Sequence, residues 1–459
     1  MELKNLELKS IIEATDTEQL EKFLESIDVQ NIDENLITDL CYSMVIENKG
    51  IRNLLIHFFL SNRFESLPNC VVNYISSKDI TLRNLTGEIL LQYNKFSIDS
   101  LIDFINKSEN DFDIKFAADI LATIVDEKSE HALFDLLEKT KNDNVIISCI
   151  EGFGNNRSVN SIDKLKDLYY QKDIFKPYVI EALGKIGSEE SFKFIIECYK
   201  DGDPLVKYNV LESLGNIGNE DSFFFLIGEL QNADESFVEP ILESIYKLQN
   251  KYGFDLPYDE KIKRALLIML NQTDVEHIKI AIKFLTPYND LELIYEMLRH
   301  YGIDEEIDSI IFNKVSQNVN EVFSILPQIL ISNPSNTSQL LSLILQLIEN
   351  NDELLSNLNK LTLHKLIDAV SRCLNHCEEM ARLYSVELLF KLDIETAIIL
   401  LNEEFLNANF WIKLRLIEIM ETINHPMVND FLVKLTEDEN EMIRQKAIEI
   451  LNIKNFSFN

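Results

Sequence analysis

Cys373, His376 and Cys377 fall together in the segment CLNHC. Within one helical turn, three soft ligands at spacings of three and four could meet a zinc ion. No fourth ligand is evident, and a helical CxxxC lacks the tight knuckle of structural zinc sites. The expectation is therefore no metal and a half-buried helix face. None of the seven His is followed by Glu, and GxxxxGK[ST], GxSxG and HExxH are absent. These motifs hold phosphates, present a nucleophile or bind zinc beside a base, so no catalytic residue and no cofactor is expected.

Charge is more regular. Glu181, Glu212 and Glu243 stand 31 residues apart and Glu151 precedes them in the same pattern. Tyr178, Tyr208, Asn209 and Glu239 lie about one helical turn from members of this column and would add aromatic and hydrogen-bonding contacts. Such a column is either a partner-binding surface or an ordinary solvated helix face. A basic column, Arg83, Lys176, Lys207, Arg382, Lys413 and Arg444, runs five residues before the repeating acid. Asp79 and Asp203 lie four residues before Arg83 and Lys207, a spacing that suits a helical ion pair and an N-cap. Each such pair contributes about 0.3 to 0.5 kcal/mol, so this column is read as structural.

The elements that position these columns are legible in Ser188 to Gly218, SEESFKFIIECYKDGDPLVKYNVLESLGNIG. Ser188 caps a first helix whose apolar positions are Phe192, Ile195, Ile196 and Tyr199, and Asp201-Gly202 interrupts it. Asp203 caps a second helix with Pro204 at its first position, and Val206, Val210 and Leu214 fall on one face. Gly215 and Gly218 are read as its end, as EALGKIG ends the helix before. The period recurs at Glu88 and Asp119, and at Glu387, Glu418 and Glu449. A helix pair this short cannot bury its apolar face alone, so neighbours must stack into an all-α solenoid of about 31 residues per unit.

DPLVKYNVLESLGNIG resembles the second helix of the HEAT repeats, in particular the short bacterial form also found in phycobilisome lyases. The matching positions are Asp203, Val206, Lys207, Leu214, Gly215, Ile217 and Gly218. The family usually carries Ala where this chain has Asn209, Val210, Leu211 and Ser213, which predicts looser or differently angled packing. The resemblance implies a superhelical stack of antiparallel helix pairs whose second helices line the concave face, turning the acidic column into a stripe. The di-iron hydroxylases among HEAT-like proteins use His-Glu pairs, which this chain lacks. The DNA glycosylases need a basic concave surface, which the acidic column opposes. The resemblance and the extended surface together lead to a non-enzymatic scaffold or adaptor for a protein or peptide. The alternative it implies is a phycobilisome-lyase-like accessory acting on a chromophore-bearing partner.

With 459 residues, 46% hydrophobic, and only 12 Gly and 9 Pro, the chain has ample core and little room for flexible linkers. Four regions are expected: 1–71 a helical cap, 72–250 regular repeats, 251–375 diverged repeats with a turn at Asn333-Pro334-Ser335-Asn336, and 376–459 repeats and a second cap ending Phe456-Ser457-Phe458-Asn459. The register is lost at 251–261, where a loop or a longer unit is expected. A net charge of −34 repels phosphate backbones and anionic lipid surfaces. Nucleic acid and membrane insertion are thus not expected. The acidity serves solubility or meets a basic partner. The start has no apolar core of signal-peptide type, and the six Cys show no disulfide framework, so the cytoplasm is expected. Trp411, beside Phe410, is read as a packing residue.

Overall fold

In the computed structural model, residues 2–332, 334–351, 353–404 and 410–456 are described, and every regular element among them is helical. No helix among them is long and apolar enough to cross a membrane. The chain divides into two units, Met1–Asn232 with Pro240–Leu256, and Ala233–Glu239 with Pro257–Asn459. Each is a stack of helix pairs, and the fold is an all-α solenoid. Asn333 of the expected NPSN turn and the terminal Ser457 to Asn459 lie outside the described residues.

In the first unit the second helices are Ile80–Tyr93, Asp111–Thr123, Asp143–Asn155, Lys176–Ile186 and Pro204–Ile217, and they stack on one another in order. Short polar residues start them. Asp79 Oδ1 accepts the backbone N–H groups of Thr81 and Leu82, Asn142 Oδ1 those of Asn144 and Val145, and Asp203 Oδ1 that of Val206. Gly187 and Gly218 close two of them in the left-handed conformation, at φ +67° and +68°, where a Cβ would be strained.

The stacking is close at Ser213, so of the two expectations, looser or differently angled packing, the looser one does not hold there. A Cβ on Gly184 would lie 2.0 Å from Ser213 Oγ, and one on Gly215 would lie 2.9 Å from Ser244 Oγ. At both joints the serine meets a glycine, which lets the helices approach closely. Ser213 and Ser244 donate their hydroxyls to the carbonyls of Ile180 and Leu211, at 2.9 and 2.8 Å. Gly215 does not end its helix as expected. It lies inside Pro204–Ile217 and serves that close approach. The next second helix is Glu235–Tyr252, and residues 253–259 form the loop that breaks the register.

The second unit continues with pairs such as Glu260–Leu270 with Val275–Leu285, and Pro426–Leu435 with Glu441–Phe456. Thr337–Glu349 packs directly on Glu379–Leu392, and Lys360–Cys373, between them in sequence, packs on Glu379–Leu392 as well. The region that lost its sequence register is therefore still built of packed helix pairs.

The basic column is structural, but its pairing differs from expectation. Asp79 is held by Arg52, 2.6 Å away on the preceding repeat, rather than by Arg83. Lys207 Nζ lies 5.5 Å from the Tyr199 ring centroid. Arg382 and Arg444 turn back to donate to the carbonyls of His376 and Cys377, and of Asp438 and Glu439. The long side chains reach the loop before their own helix, whose carbonyls face them, so they brace repeat junctions instead of closing an i,i+4 pair.

Candidate partner-binding face

Asp143–Asn155 presents Glu151, half-buried, and Lys176–Ile186 presents Glu181, exposed, with Tyr178 half-buried one turn earlier. Pro204–Ile217 presents exposed Glu212, half-buried Asn209 and Tyr208, which is 38% exposed. Glu181 and Glu212, 31 residues apart, take equivalent positions because their two helices are closed by the same glycine geometry, at Gly187 and Gly218, and seated by the same glycine–serine contact. Glu243 and Glu239 follow, half-buried, on Glu235–Tyr252. Glu239 Oε1 lies 3.6 Å from His277 Nε2, both in the second unit.

The electrostatics differ along the column. Burial raises the Glu151 carboxyl above its ordinary range, and the negative charges of Asp119 and Glu181 raise it further against the opposing pull of Lys115 and Lys185. Glu181 is paired with Lys185 at 2.8 Å, and the same ammonium reaches Asn155 Oδ1 at 3.2 Å. Lys115 pairs with Asp119, whose other oxygen accepts the Ser148 hydroxyl at 2.5 Å. Glu151 and Glu212 make no ion pair among the described residues. The column is thus an acidic face into which Lys115 and Lys185 are set.

Lys185 and Asp119 were missed as members of this face, although both carried a signal. Lys185 stands four residues after Glu181, the spacing of a helical ion pair, and Asp119 occupies the repeating acidic position. In the second unit Arg415 bridges Glu387 at 2.9 Å and Glu418 at 3.1 Å, and Lys446 pairs with Glu449 at 3.3 Å. The acidic column is neutralised there, as the sequence spacing implies.

The CLNHC segment is not a single helix face. Lys360–Cys373 ends at Cys373, so His376 and Cys377 fall in the connection to the next helix. The Cys373 thiol is buried, pushed up to about 11 by that burial, and donates to the Ala369 carbonyl at 3.4 Å. Cys377 is exposed, 4.0 Å from His376 Nδ1, which accepts the backbone N–H of Glu378. Trp411 is also not the packing residue expected. It lies in the first turn of Phe410–Thr422, touches Phe410 edge to face, and remains 62% exposed.

No curated protein sequence matches the chain. Among solved structures, it is similar to the karyopherin Kap121p bound to the extreme C-terminus of the protein phosphatase Cdc14p, at 15% identity and a TM-score of 0.47. That similarity covers 98% of this chain and 57% of the karyopherin, so the chain spans little over half its length. It is similar also to importin beta, at 11% identity over 91% of this chain and 69% of that one, with a TM-score of 0.43. The complex of CpcE and CpcF of phycocyanin lyase from Nostoc sp. PCC7120 is 13% identical over 53% of this chain and 97% of its own, with a TM-score of 0.31. The model of the HEAT repeats matches residues 174–244, which hold Tyr178, Glu181, Tyr208, Asn209 and Glu212. Those residues of the chain are HEAT repeats.

Proposed function

We propose that this chain is a protein-binding scaffold whose acidic column in the first unit takes a basic segment of a partner protein. The observation that carries this reading is the state of Glu151. Its carboxyl is half-buried beside Asp119 and Glu181, and their mutual repulsion is only partly offset by lysines. A cation arriving from a partner relieves that repulsion, so it gains more there than at an isolated surface carboxylate. Glu212 extends the column one repeat further, and Tyr178 and Tyr208 supply apolar faces with polar tips beside it.

The test is to capture proteins from the source cell on immobilised full-length chain and, in parallel, on the double variant Glu181→Lys with Glu212→Lys. A partner retained by the parent and lost by the folded variant supports the reading. A partner retained equally by both places binding elsewhere on the molecule.

A further inference from the structure

The first helices of successive repeats in the first unit carry a buried serine at their start, at Ser97, Ser129, Ser161, Ser191 and Ser222. Counting from that serine aligns the interfaces between neighbouring repeats. Three residues after it the later repeats carry Phe194 and Phe225, and each ring plugs the interface with the helix before. Phe194 packs edge to face on Tyr169 and Tyr170 of Ile162–Gln171, with ring centroids 5.5 and 6.0 Å apart, and Phe225 on Tyr199 of Glu189–Asp201 at 5.4 Å. Where Glu127–Lys139 meets Ile98–Lys107, the positions of Phe194, Tyr169 and Tyr170 hold Ala132, Ile105 and Asn106. No ring fills that interface, and a cleft of about 640 Å³ opens instead. Its walls are apolar, from Ile102, Ile105, Ile114 and Leu136.

The mouth of the cleft carries both signs of charge. Asp135 and Lys139 stand one turn apart on Glu127–Lys139, the spacing at which Glu18 and Lys22, Glu181 and Lys185, and Glu189 and Lys193 close into ion pairs. Asp135 and Lys139 leave theirs open. Neither has an ion-pair partner among the described residues, and Lys139 Nζ reaches across the cleft to Asn106 Oδ1 at 3.5 Å. Lys141 and Asp111 complete the rim, the latter accepting the Asn142 amide at 2.9 Å.

We propose that this cleft binds a small aromatic zwitterion, an aromatic α-amino acid, whose ring takes the place that Phe194 fills in the later repeat. The ring leaves water for the isoleucines and Leu136, which drives its entry. The α-carboxylate meets the Lys139 ammonium and the α-ammonium meets the Asp135 carboxylate, so one ligand bridges the pair that the helix leaves open. Such a molecule has no net charge and is not repelled by a chain of charge −34. The cleft lies within the range of about 300–1,000 Å³ usual for small-molecule sites. It is formed mainly by first helices, whereas Glu151, Glu181 and Glu212 stand on second helices, so this proposal does not rest on the acidic column.

The experiment is titration calorimetry of the full-length chain with L-phenylalanine and L-tryptophan. One ligand per chain is expected. Phenylalaninamide lacks the carboxylate and N-acetylphenylalanine lacks the ammonium, and each is expected to bind at least about tenfold more weakly, because a charged group of the rim loses its partner. The variant Ala132→Phe restores the plug of the later repeats and is expected to abolish binding. Lys139→Gln and Asp135→Asn alter only exposed side chains and are each expected to weaken binding by a similar factor, so the matter is decided even if Ala132→Phe does not fold. No binding of either amino acid at millimolar concentration overturns the proposal. So does binding of phenylalaninamide as tight as that of phenylalanine, or full binding by folded Ala132→Phe.

Discussion

The Cα of Gly184 faces the Ser213 hydroxyl so closely that a Cβ there would lie 2.0 Å from the oxygen. Ser213 uses that hydroxyl to donate to the Ile180 carbonyl, one turn before Gly184 on the same neighbouring helix. Glycine and serine thus form one joint, repeated at Gly215 and Ser244. It sets the distance between the helices that carry Glu181 and Glu212.

Gly184→Ala is expected to destabilise the fold, against the usual direction for a helical glycine. Alanine in a helix interior normally gains about 0.5 to 1 kcal/mol over glycine. Here the added methyl must displace Ser213, and overpacking of this kind costs about 1 to 3 kcal/mol. Gly228 is the control, because a Cβ there meets nothing within 4 Å in the helix Glu220–Leu230. Gly228→Ala is expected to raise the urea midpoint and Gly184→Ala to lower it. Adding Ser213→Ala to Gly184→Ala should recover part of the loss.

Tyr93→Phe is expected to weaken the N-terminal part of the first unit. Tyr93 is buried, and its single hydroxyl hydrogen is shared between the carbonyls of Phe59 at 2.8 Å and Asn62 at 3.0 Å, while its oxygen accepts the Phe64 N–H. One phenol therefore satisfies the chain end of the helix Lys49–Ser61. Removing it leaves buried polar groups unpaired, which costs about 1 to 3 kcal/mol. Hydrogen exchange should show earlier opening of residues 58–64, with little change beyond residue 260.

The repeat was legible because it rests on local chemistry. Asp203 capping, Pro204 at the first helical turn and Gly218 at the end are each written in one residue type and follow from backbone geometry. What could not be read was where long side chains reach. Arg52 and Asp79 are 27 positions apart, and their pairing depends on two repeats being seated together. The acidic column was legible as a spacing, while the repulsion at Glu151 needed the neighbouring Asp119 and Glu181 in space.

Glu151→Gln is expected to stabilise the chain at pH 7 and leave it unchanged at about pH 2.5, below the ordinary glutamate range. The folded-state carboxyl is raised by burial first and by Asp119 and Glu181 next, so its charged form is disfavoured in the fold. Below the ordinary carboxylate range both states are protonated and the substitution changes nothing. As pH rises through the raised value, the parent must ionise against its surroundings and loses stability relative to the variant. Melting temperatures at the two pH values measure this. A variant less stable than the parent at pH 7 would mean that the charged form is favoured at this position.

Charge reversal on the column is expected to weaken the partner without disturbing the fold. Glu212 is the cleaner site, being exposed and without an ion pair among the described residues, whereas reversing Glu181 also frees Lys185. An exposed charge pair contributes about 0.2 to 1 kcal/mol, and reversal replaces attraction by repulsion. Two reversals should therefore raise the Kd about tenfold or more, since about 1.4 kcal/mol corresponds to a factor of ten. The parent's association rate should fall as salt shortens the Debye length to about 8 Å at physiological strength, and the double variant should lose most of that dependence. Circular dichroism and unfolding midpoints of Glu181→Lys with Glu212→Lys should match the parent, because both positions face solvent. If that variant binds the captured partner as tightly as the parent, with the same salt slope, the column is only a solvated face.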